Sequence, residues 1–551
     1  MSGELSWLAG VKRTYIGNAT ATRDMRVQLR GGRAVVLFTI YLVIMTFVLL
    51  MVYNGSLGSE GGQVSLALAQ SRLQSFYTAT LTSIGVVITL VAPSMGAFAI
   101  VSEKQRRSLD LVFSAPTEPK YYLVGKLISS YRFVWLLLVL SLPFCAVSVT
   151  LGGTTWSQLF ITFLLYSMYG LVCVSFGLLM STLCNKVLPA IIWTYAALAC
   201  YWLFTGGLVA VGMASTFSGP FGSTPTINPI FSLNPYCYPI VAGQSWPIFG
   251  REIPSWLLSI FMHLVIVKFI ILGAGSMIAP GNSKEIKGLR VHALLYTSAI
   301  FFLFAMSFAP FFSSMNYSGQ VLAFGNFRTE DASQVYHGRA LFTLLFVLGI
   351  IVVPYLASFG FNDLRRHRPD GIFNIRQTFT GRPSGNIPFL CLLFGLSTLA
   401  YGLGGLYKPG TSFGLAAAFG SRSSRAPIVE FSPLSWSFMM YAFLIFAIWA
   451  TAYFLGWYSS SRKPVLSRGR TISLFFFILG IILPTALFSI LAGDDSRSAS
   501  GVWSLVPVAG VLSDISASKM AAIHGAILTC ITVLLIMITI PRMTKLVSST
   551  P

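Results

Sequence analysis

Charged residues are scarce in this chain of 551 residues, of which Asp, Glu, Lys and Arg together make up 10%. Soluble domains carry about 25% charged residues, so soluble domains of this combined length could not cover their surfaces with so few charges. Hydrophobic residues make up 55% of the chain and the mean hydropathy is +0.75. The composition therefore excludes a chain made of soluble domains and predicts one that is solvated mostly by lipid.

Acidic residues are missing from the middle of every long apolar run, since all 16 Asp and Glu residues fall in predicted loops or at the edges of spans. Carriers that couple to protons or sodium usually need ionisable groups inside the membrane, although backbone carbonyls can bind sodium. This distribution argues against ion coupling and indicates an energy source outside the bilayer. An ion-coupled secondary carrier remains an alternative.

The chain also lacks the GxxxxGK[ST] motif that cradles nucleotide phosphates, because Gly125-Lys126 is followed by Leu127. ATP hydrolysis is therefore expected in a partner, and no cofactor is predicted in this chain. The seven cysteines show no CxxC spacing, so neither a disulfide framework nor a metal site is predicted. A membrane-embedded enzyme acting on lipids or glycans is a second alternative, disfavoured because the five histidines are scattered.

Twelve long apolar segments follow one another along the chain, and each is predicted to be a transmembrane helix because lipid cannot hydrogen-bond a backbone. They lie near residues 35–53, 79–101, 130–149, 158–181, 187–209, 255–278, 292–311, 339–361, 386–407, 434–457, 471–491 and 521–540. With the N-terminus inside, most Lys and Arg residues fall in inner loops, which explains the net charge of +21 without nucleic acid. The predicted fold is an all-α polytopic protein of the inner membrane with both termini cytoplasmic.

The loop 102–127, between the second and third predicted spans, places charged residues beside a short amphipathic segment. Leu109, Val112 and Phe113 have the spacing of one helical face, and Pro116 ends the predicted helix. Such a helix either lies in the lipid headgroups or docks into a groove on a soluble partner. The pattern alone fits both interpretations equally.

The same loop resembles the signature of ATP-binding cassette (ABC) permeases of the type-2 exporter family, in which a charged pair precedes Gly-Thr-Leu-Glu, a Leu-rich turn, Ser/Thr-x-Pro and a Gly-Lys. The matching residues are Glu103-Lys104, Ser108-Leu109-Asp110, Leu111, Ser114-Ala115-Pro116 and Gly125-Lys126, while Arg107 replaces the family's glycine. The resemblance implies a coupling helix that rests on a separate ATPase subunit, present in two copies, which binds ATP and Mg. The residues it implies for this contact are Glu103, Lys104, Arg106, Arg107, Ser108, Leu109, Asp110, Phe113 and Pro116. The implied function is the permease subunit of an exporter that has no catalytic activity of its own.

Residues 1–34 resemble the family's interfacial helix that precedes the first span, although a solvated basic arm is an alternative. Residues 35–281 are predicted to form a six-helix permease unit, whose outer loop 210–253 resembles the short re-entrant helices of these exporters. Residues 282–551 are predicted to form a second six-helix unit, a degenerate repeat of the first, with inner loop 362–385 as a weaker coupling element. Two pairs of stretches support the repeat: PSMGAFAIVSEKQRRSLD with PYLASFGFNDLRRHRPDG, and FSLNP with WSLVP.

Lys268 falls near the middle of the sixth predicted span. It either faces the translocation path and contacts an anionic substrate, or it extends its side chain to the inner headgroups. His263, one turn away, is predicted to be a hydrogen-bonded packing residue, because no second His or Cys lies at metal-ligand spacing.

Overall fold

The computed structural model describes a mostly helical chain that divides into two compact units. The described residues are 18–29, 32–57, 66–107, 119–150, 153–217, 232–248, 251–278, 286–299, 302, 374–380, 385–405, 433–462 and 515–548. The first unit comprises Met1–Gly206 and Thr226–Glu285, and the second comprises Gly207–Pro225 and Ile286–Pro551.

Helices account for most of the described residues of the first unit. They are α1 (Ala19–Leu29), α2 (Gly32–Leu57), α3 (Leu66–Gln105), α4 (Pro119–Thr150), α5 (Trp156–Leu183), α6 (Val187–Phe217), the short α7 (Tyr238–Val241) and α8 (Ser255–Ile278). Except for α1 and α7, these helices cover the first six predicted spans. They form because runs of apolar residues in lipid can satisfy their backbone only within a helix.

Five helices of the described residues are long and apolar enough to cross a membrane. They are Arg72–Gln105, Pro119–Val147, Trp156–Leu183, Ser255–Ile278 and, in the second unit, Ala522–Arg542. Shorter apolar helices cover Phe38–Asn54, Val187–Ala199 and Ile387–Ser397. The chain is thus a helical multi-pass membrane protein, while twelve spans and cytoplasmic termini stay predictions. The predicted spans 339–361 and 471–491 lie outside the described residues, as does most of 300–311.

Helices α3 and α5 pack backbone against backbone at two glycines. A Cβ on Gly96 would collide with the carbonyl oxygen of Val174, and a Cβ on Gly177 would collide with the carbonyl oxygen of Pro93. Close approach at small residues is a common way for membrane helices to associate, since it maximises van der Waals contact. Toward the C-terminal ends of both helices, the Ser181 hydroxyl oxygen accepts the backbone N–H groups of residues 100 and 101 at 3.0 and 2.9 Å. The two helices therefore form one rigid pair.

The segment between α6 and α8 differs from the all-α prediction, because it combines helical turns with a two-stranded hairpin. After the 3₁₀ turn Pro235–Cys237 and α7, strand β1 (Ser245–Ile248) pairs antiparallel with β2 (Arg251–Pro254). A proline in each strand disfavours continuation as a helix, and prolines are tolerated in such edge strands. The re-entrant character of the predicted outer segment 210–253 stays a prediction, and the hairpin is a feature that the sequence did not predict.

A buried tyrosine is one of the residues that hold this segment on the helices of the first unit. The side chain of Tyr238 is fully buried, and its hydroxyl lies 2.8 Å from Nε2 of His263. His263 Nδ1 lies 2.6 Å from the carbonyl oxygen of Ser259, which can only accept, so Nδ1 donates and Nε2 accepts from the tyrosine. The Tyr238 ring also packs edge-on against Tyr166, with centroids 5.2 Å apart. The prediction that His263 is a hydrogen-bonded packing residue is confirmed.

The described part of the second unit consists of the end of α6 from Gly207, four further helices and one turn. They are α9 (286–299), the 3₁₀ turn Ile375–Gln377, α10 (Asn386–Gly405), α11 (Pro433–Arg462) and α12 (Ile515–Ser548). Helices α11 and α12 lie along each other over most of their lengths. The hydroxyls of Thr451 and Thr532 bond across them at 2.9 Å, and the guanidinium of Arg542 lies 5.6 Å from the Tyr458 ring. These two helices therefore run in parallel.

We expect Gly96→Ala to lower the free energy of unfolding by about 1–3 kcal/mol, because the new Cβ forces α3 away from α5. Gly395→Ala in α10 is the matched control, since its Cβ would have no described atom within 4 Å. The control should be neutral or slightly stabilising, as alanine favours helices. Thermal unfolding of the detergent-purified variants measures both, and equal effects of the two substitutions would contradict the tight contact.

Candidate functional site

The amino-terminal helix α1 is capped by one residue that also binds the start of α4. The Asn18 side-chain oxygen accepts the backbone N–H of Thr20 at 3.1 Å, as at a helix N-cap, and its amide nitrogen donates to the carbonyl of Tyr121 at 3.0 Å. A Cβ on Gly125 would lie 2.5 Å from the Asn18 oxygen. Glycine is therefore required at this position so that α1 can approach α4 this closely.

Next to this contact, Lys126 lies between two carboxylates that come from different helices. Its ammonium nitrogen is 2.5 Å from Asp24 Oδ2 on α1 and 2.6 Å from Glu103 Oε1 at the end of α3. The side chains of these three residues are 5%, 16% and 14% exposed, so water screens the charges weakly. The second oxygen of Glu103 accepts the Tyr122 hydroxyl at 2.5 Å. We call Arg23, Asp24, Glu103, Tyr122 and Lys126 the inner charge cluster, after the side of the membrane predicted for the loop 102–127.

Arg23 completes the inner charge cluster at its exposed edge. Its guanidinium lies 3.1 Å from Asp24 and 3.2 Å from Glu103, and its side chain is 60% exposed. Burial lowers the pKa of Arg23, but the hydrogen bond to Asp24 and the charges of both carboxylates outweigh it, so the pKa is raised. The cluster pairs two cations with two anions and joins α1, α3 and α4.

Lys104, the second member of the Glu-Lys pair, binds the inner end of α5. Its ammonium donates to the carbonyl oxygens of Thr182 at 2.5 Å and Cys184 at 3.2 Å. These are carbonyls at the C-terminus of α5, which have no further helical partner and carry the negative end of the helix dipole. Glu103 and Lys104 therefore hold the base of the loop 102–127 in place.

The exposed charges at the end of α3 are Arg106 and Arg107. Arg107 has a backbone φ of +53°, in the left-handed region that favours glycine. Its N–H donates to the carbonyl of Lys104 at 3.1 Å. It thus adopts the conformation suited to the glycine that it replaces in the family pattern. The strain is on the order of 1 kcal/mol. The predicted contact residues Ser108, Leu109, Asp110, Phe113 and Pro116 lie outside the described residues.

Lys268 lies on the exposed face of α8. It shares that face with Leu257, Phe261 and Leu264, whereas His263 lies on the buried face. A place on the translocation path stays a prediction for this residue. In the part of the chain that the structure describes, no group of three or more His, Cys, Asp or Glu could hold a metal ion.

Sequence reasoning missed Asn18, Asp24 and Tyr122 as members of the site, and it treated Lys126 only as a landmark. Asp24 offered a usable signal, since it is the one acid within the basic stretch 11–34. A lone carboxylate on a cationic amphipathic helix predicts a specific cationic partner, here Lys126 at a sequence distance of 102. The Gly125-Lys126 pair therefore has a physical explanation. The glycine leaves room for the Asn18 side chain, and the lysine binds both carboxylates.

Lys126→Met should lower the free energy of unfolding by about 3–5 kcal/mol, because it removes the buried cation from two poorly solvated carboxylates and the largely exposed Arg23 compensates them only weakly. Adding Glu103→Gln should recover part of that loss, since only one carboxylate then remains. Thermal unfolding of the single and double variants provides the measurement. Strictly additive effects of the two substitutions would show that the residues do not interact.

Arg107→Gly should raise the free energy of unfolding by about 1 kcal/mol, because glycine adopts the left-handed conformation without strain. Arg106→Gly is the matched control, since it removes an identical side chain at a residue without positive φ. The control should leave stability unchanged or reduce it. A loss of stability in Arg107→Gly would mean that the left-handed conformation is wrong.

Comparison with known proteins assigns a family to the region that contains most of this site. Residues 62–274 match the family model described as ABC-2 family transporter protein, a stretch that runs from before α3 to near the end of α8. No curated protein and no solved structure matches the chain. The resemblance to type-2 ABC permeases is therefore confirmed over residues 62–274, which makes the chain similar to the membrane-embedded transport component of an ABC transporter.

Proposed function

We propose that this chain is the membrane-spanning permease subunit of an ATP-driven exporter in the inner membrane, and that a separate ATPase binds the loop 102–127. The observation that carries the proposal is the inner charge cluster, which lies within and beside the family-matched region. It fastens the base of that loop to two further helices. A loop fastened in this way can pass force from a soluble motor to the membrane helices.

The first step of such transmission is electrostatic. A push on the end of α3 displaces Glu103, and Lys126 and Asp24 must follow because separating them would leave charges unpaired where water is scarce. Lys104 pulls the inner end of α5 in the same direction through its bonds to the α5 carbonyls. Helices α1, α3, α4 and α5 therefore move together at their inner ends.

The second step is steric and reaches the outer end. The contact between Gly96 and Gly177 leaves α3 and α5 no room to slide or separate without breaking backbone packing. Further out, the hydroxyls of Thr89 on α3 and Tyr169 on α5 bond at 3.0 Å, and the Tyr169 ring packs against Tyr238. Motion at the loop thus reaches the outer segment, as alternating access requires.

In this proposal the chain contributes mechanical work and selectivity, while ATP and Mg bind in the partner ATPase. Lys268 is a candidate for contact with an anionic substrate. The alternative, an ion-coupled carrier, predicts a different result. Such a carrier would transport its substrate when it is reconstituted alone under an ion gradient. Transport by the chain without any ATPase would therefore contradict the proposal.

Charge reversal at both exposed arginines, Arg106→Glu with Arg107→Glu, should reduce co-purification of the ATPase at least about tenfold, as expected for loss of a central cationic contact. The tagged chain is purified from its native membrane, and the co-purifying soluble chain that carries a P-loop is quantified by mass spectrometry. Membrane insertion of the variant should be unaffected.

Lys186→Glu provides the matched control, because Lys186 is an exposed cation in the connection between α5 and α6. The control should co-purify with as much ATPase as the unmodified chain. Equal co-purification in the arginine variant and the control would remove Arg106 and Arg107 from the contact.

A further inference from the structure

The structure describes one compact turn in the second unit, residues 374–380. The side-chain oxygen of Asn374 accepts the N–H of Arg376 at 3.1 Å, and the N–H of Thr378 donates to the carbonyl of Ile375 at 3.1 Å. These bonds satisfy the backbone of the turn from within. The side chains of Ile375 and Arg376 make none of them, so they are available for other contacts.

A buried arginine ties this turn to α9. One nitrogen of the Arg290 guanidinium donates to the carbonyls of Thr378 at 2.7 Å and Thr380 at 2.6 Å. Arg290 is 1% exposed, and burial lowers its pKa to about 10, so it still carries its charge at neutral pH. Two carbonyl oxygens of the turn therefore help to solvate a cation that water does not reach.

The start of α10 holds the other side of the turn. A Cβ on Gly385, directly before α10, would collide with the carbonyl oxygen of Gln377. Phe389, in the first turn of α10, has its ring centroid 5.2 Å from the Arg290 guanidinium. The backbone of the turn is thus fixed between the N-terminal ends of α9 and α10.

The turn lies where two predicted membrane helices begin. The predicted spans 292–311 and 386–407 start within one helical turn of Arg290 and Phe389, respectively. Because both helices contact the turn at their N-terminal ends, they enter the membrane from the same side. The first turn of a span lies at the level of the lipid headgroups, so the turn 374–380 lies at that level as well.

The charges at this level are positive. Lys287 and Arg376 are exposed, and Arg290 lies one turn along α9 from Lys287. The N-termini of α9 and α10 add the positive ends of their helix dipoles. The described residues of the second unit include no Asp or Glu, so no carboxylate among them offsets this charge. The surface therefore attracts an anion.

An exposed apolar side chain beside these cations indicates which anion fits. Ile375 is 70% exposed and directly precedes Arg376. In the headgroup region, a cation binds phosphate while a neighbouring apolar side chain reaches the acyl chains below it. A phospholipid supplies both partners, whereas a water-soluble anion would leave Ile375 in water.

We propose that the turn 374–380 and Lys287 form a binding site for the headgroup of an anionic phospholipid, such as phosphatidylglycerol. Arg376 and Lys287 bind its phosphate, and Ile375 contacts its acyl chains. Because the turn is already fixed, binding costs little conformational entropy. The bound lipid then holds the start of α9 and α10 at one depth in the bilayer. This inference goes beyond the proposed function and does not depend on an ATPase.

Lipid titration of the purified full chain tests the inference, with the bound fraction read by native mass spectrometry. Dioleoylphosphatidylglycerol should bind about tenfold more tightly than dioleoylphosphatidylcholine, which has the same acyl chains and no net charge. Ile375→Ser with Arg376→Gln should abolish this preference. The matched control is Leu183→Ser with Lys186→Gln, an exposed apolar residue and cation between α5 and α6, and it should retain the preference.

A second variant tests the fixed geometry without changing any charge. Gly385→Ala places a Cβ against the Gln377 carbonyl and displaces the turn, so the affinity for dioleoylphosphatidylglycerol should fall at least about fivefold. Gly395→Ala is its control, since that Cβ would meet no described atom within 4 Å. Equal affinities of these two variants would show that the lipid is held only by general electrostatic attraction, which overturns the inference.

The other outcomes each exclude a different ligand. Equal binding of the two lipids by the unmodified chain would exclude a headgroup site. Soluble glycerol phosphate that competes as well as the lipid would make this a site for a free anion, and the inference would be wrong. The inference also fails if Ile375→Ser with Arg376→Gln leaves lipid affinity unchanged and instead reduces co-purification of a soluble protein. None of these results bears on the permease assignment, which ATPase capture tests separately.

Discussion

The inner end of the first unit depends on one ammonium group that two carboxylates share. Lys126 is nearly buried, and Asp24 and Glu103 approach it from helices that are far apart in sequence. A buried ion pair seldom adds much net stability, because both charges lose water. Its value lies in geometry: removal of any partner is costly, so α1, α3 and α4 keep a fixed relation at the place where the loop 102–127 begins.

Close backbone packing extends this fixed relation through the membrane. Lipid gives helices no hydrophobic reason to associate, so the contact between Gly96 and Gly177 must supply shape complementarity instead. Polar bonds near both ends of the pair, from Lys104 to the carbonyl of Thr182 and between the hydroxyls of Tyr77 and Thr162, prevent the two helices from rotating out of register. Helices α3 and α5 are therefore held together by backbone packing in their middle and by specific hydrogen bonds near both ends.

The sequence predicted the helices of the described residues well, because lipid leaves an apolar run of about 20 residues no other way to satisfy its backbone. It did not predict the hairpin β1–β2, since strands of four residues with a proline carry almost no pattern. It also missed how Asp24 and Lys126 meet, because charge patterning relates only near neighbours on one helix. The left-handed Arg107 could be anticipated only as a departure from a glycine pattern, and its φ required coordinates.

The contact between Asn18 and the first turn of α4 bears on the order in which the chain matures during synthesis. Asn18 donates to the carbonyl of Tyr121 and occupies the space beside Gly125. Both residues leave the ribosome roughly a hundred residues after Asn18. Until the third span has been delivered to the lipid, the amino-terminal helix has no cap partner on α4 and no lysine for its carboxylate. Helix α1 is thus synthesised well before the residues of α4 that hold it in place.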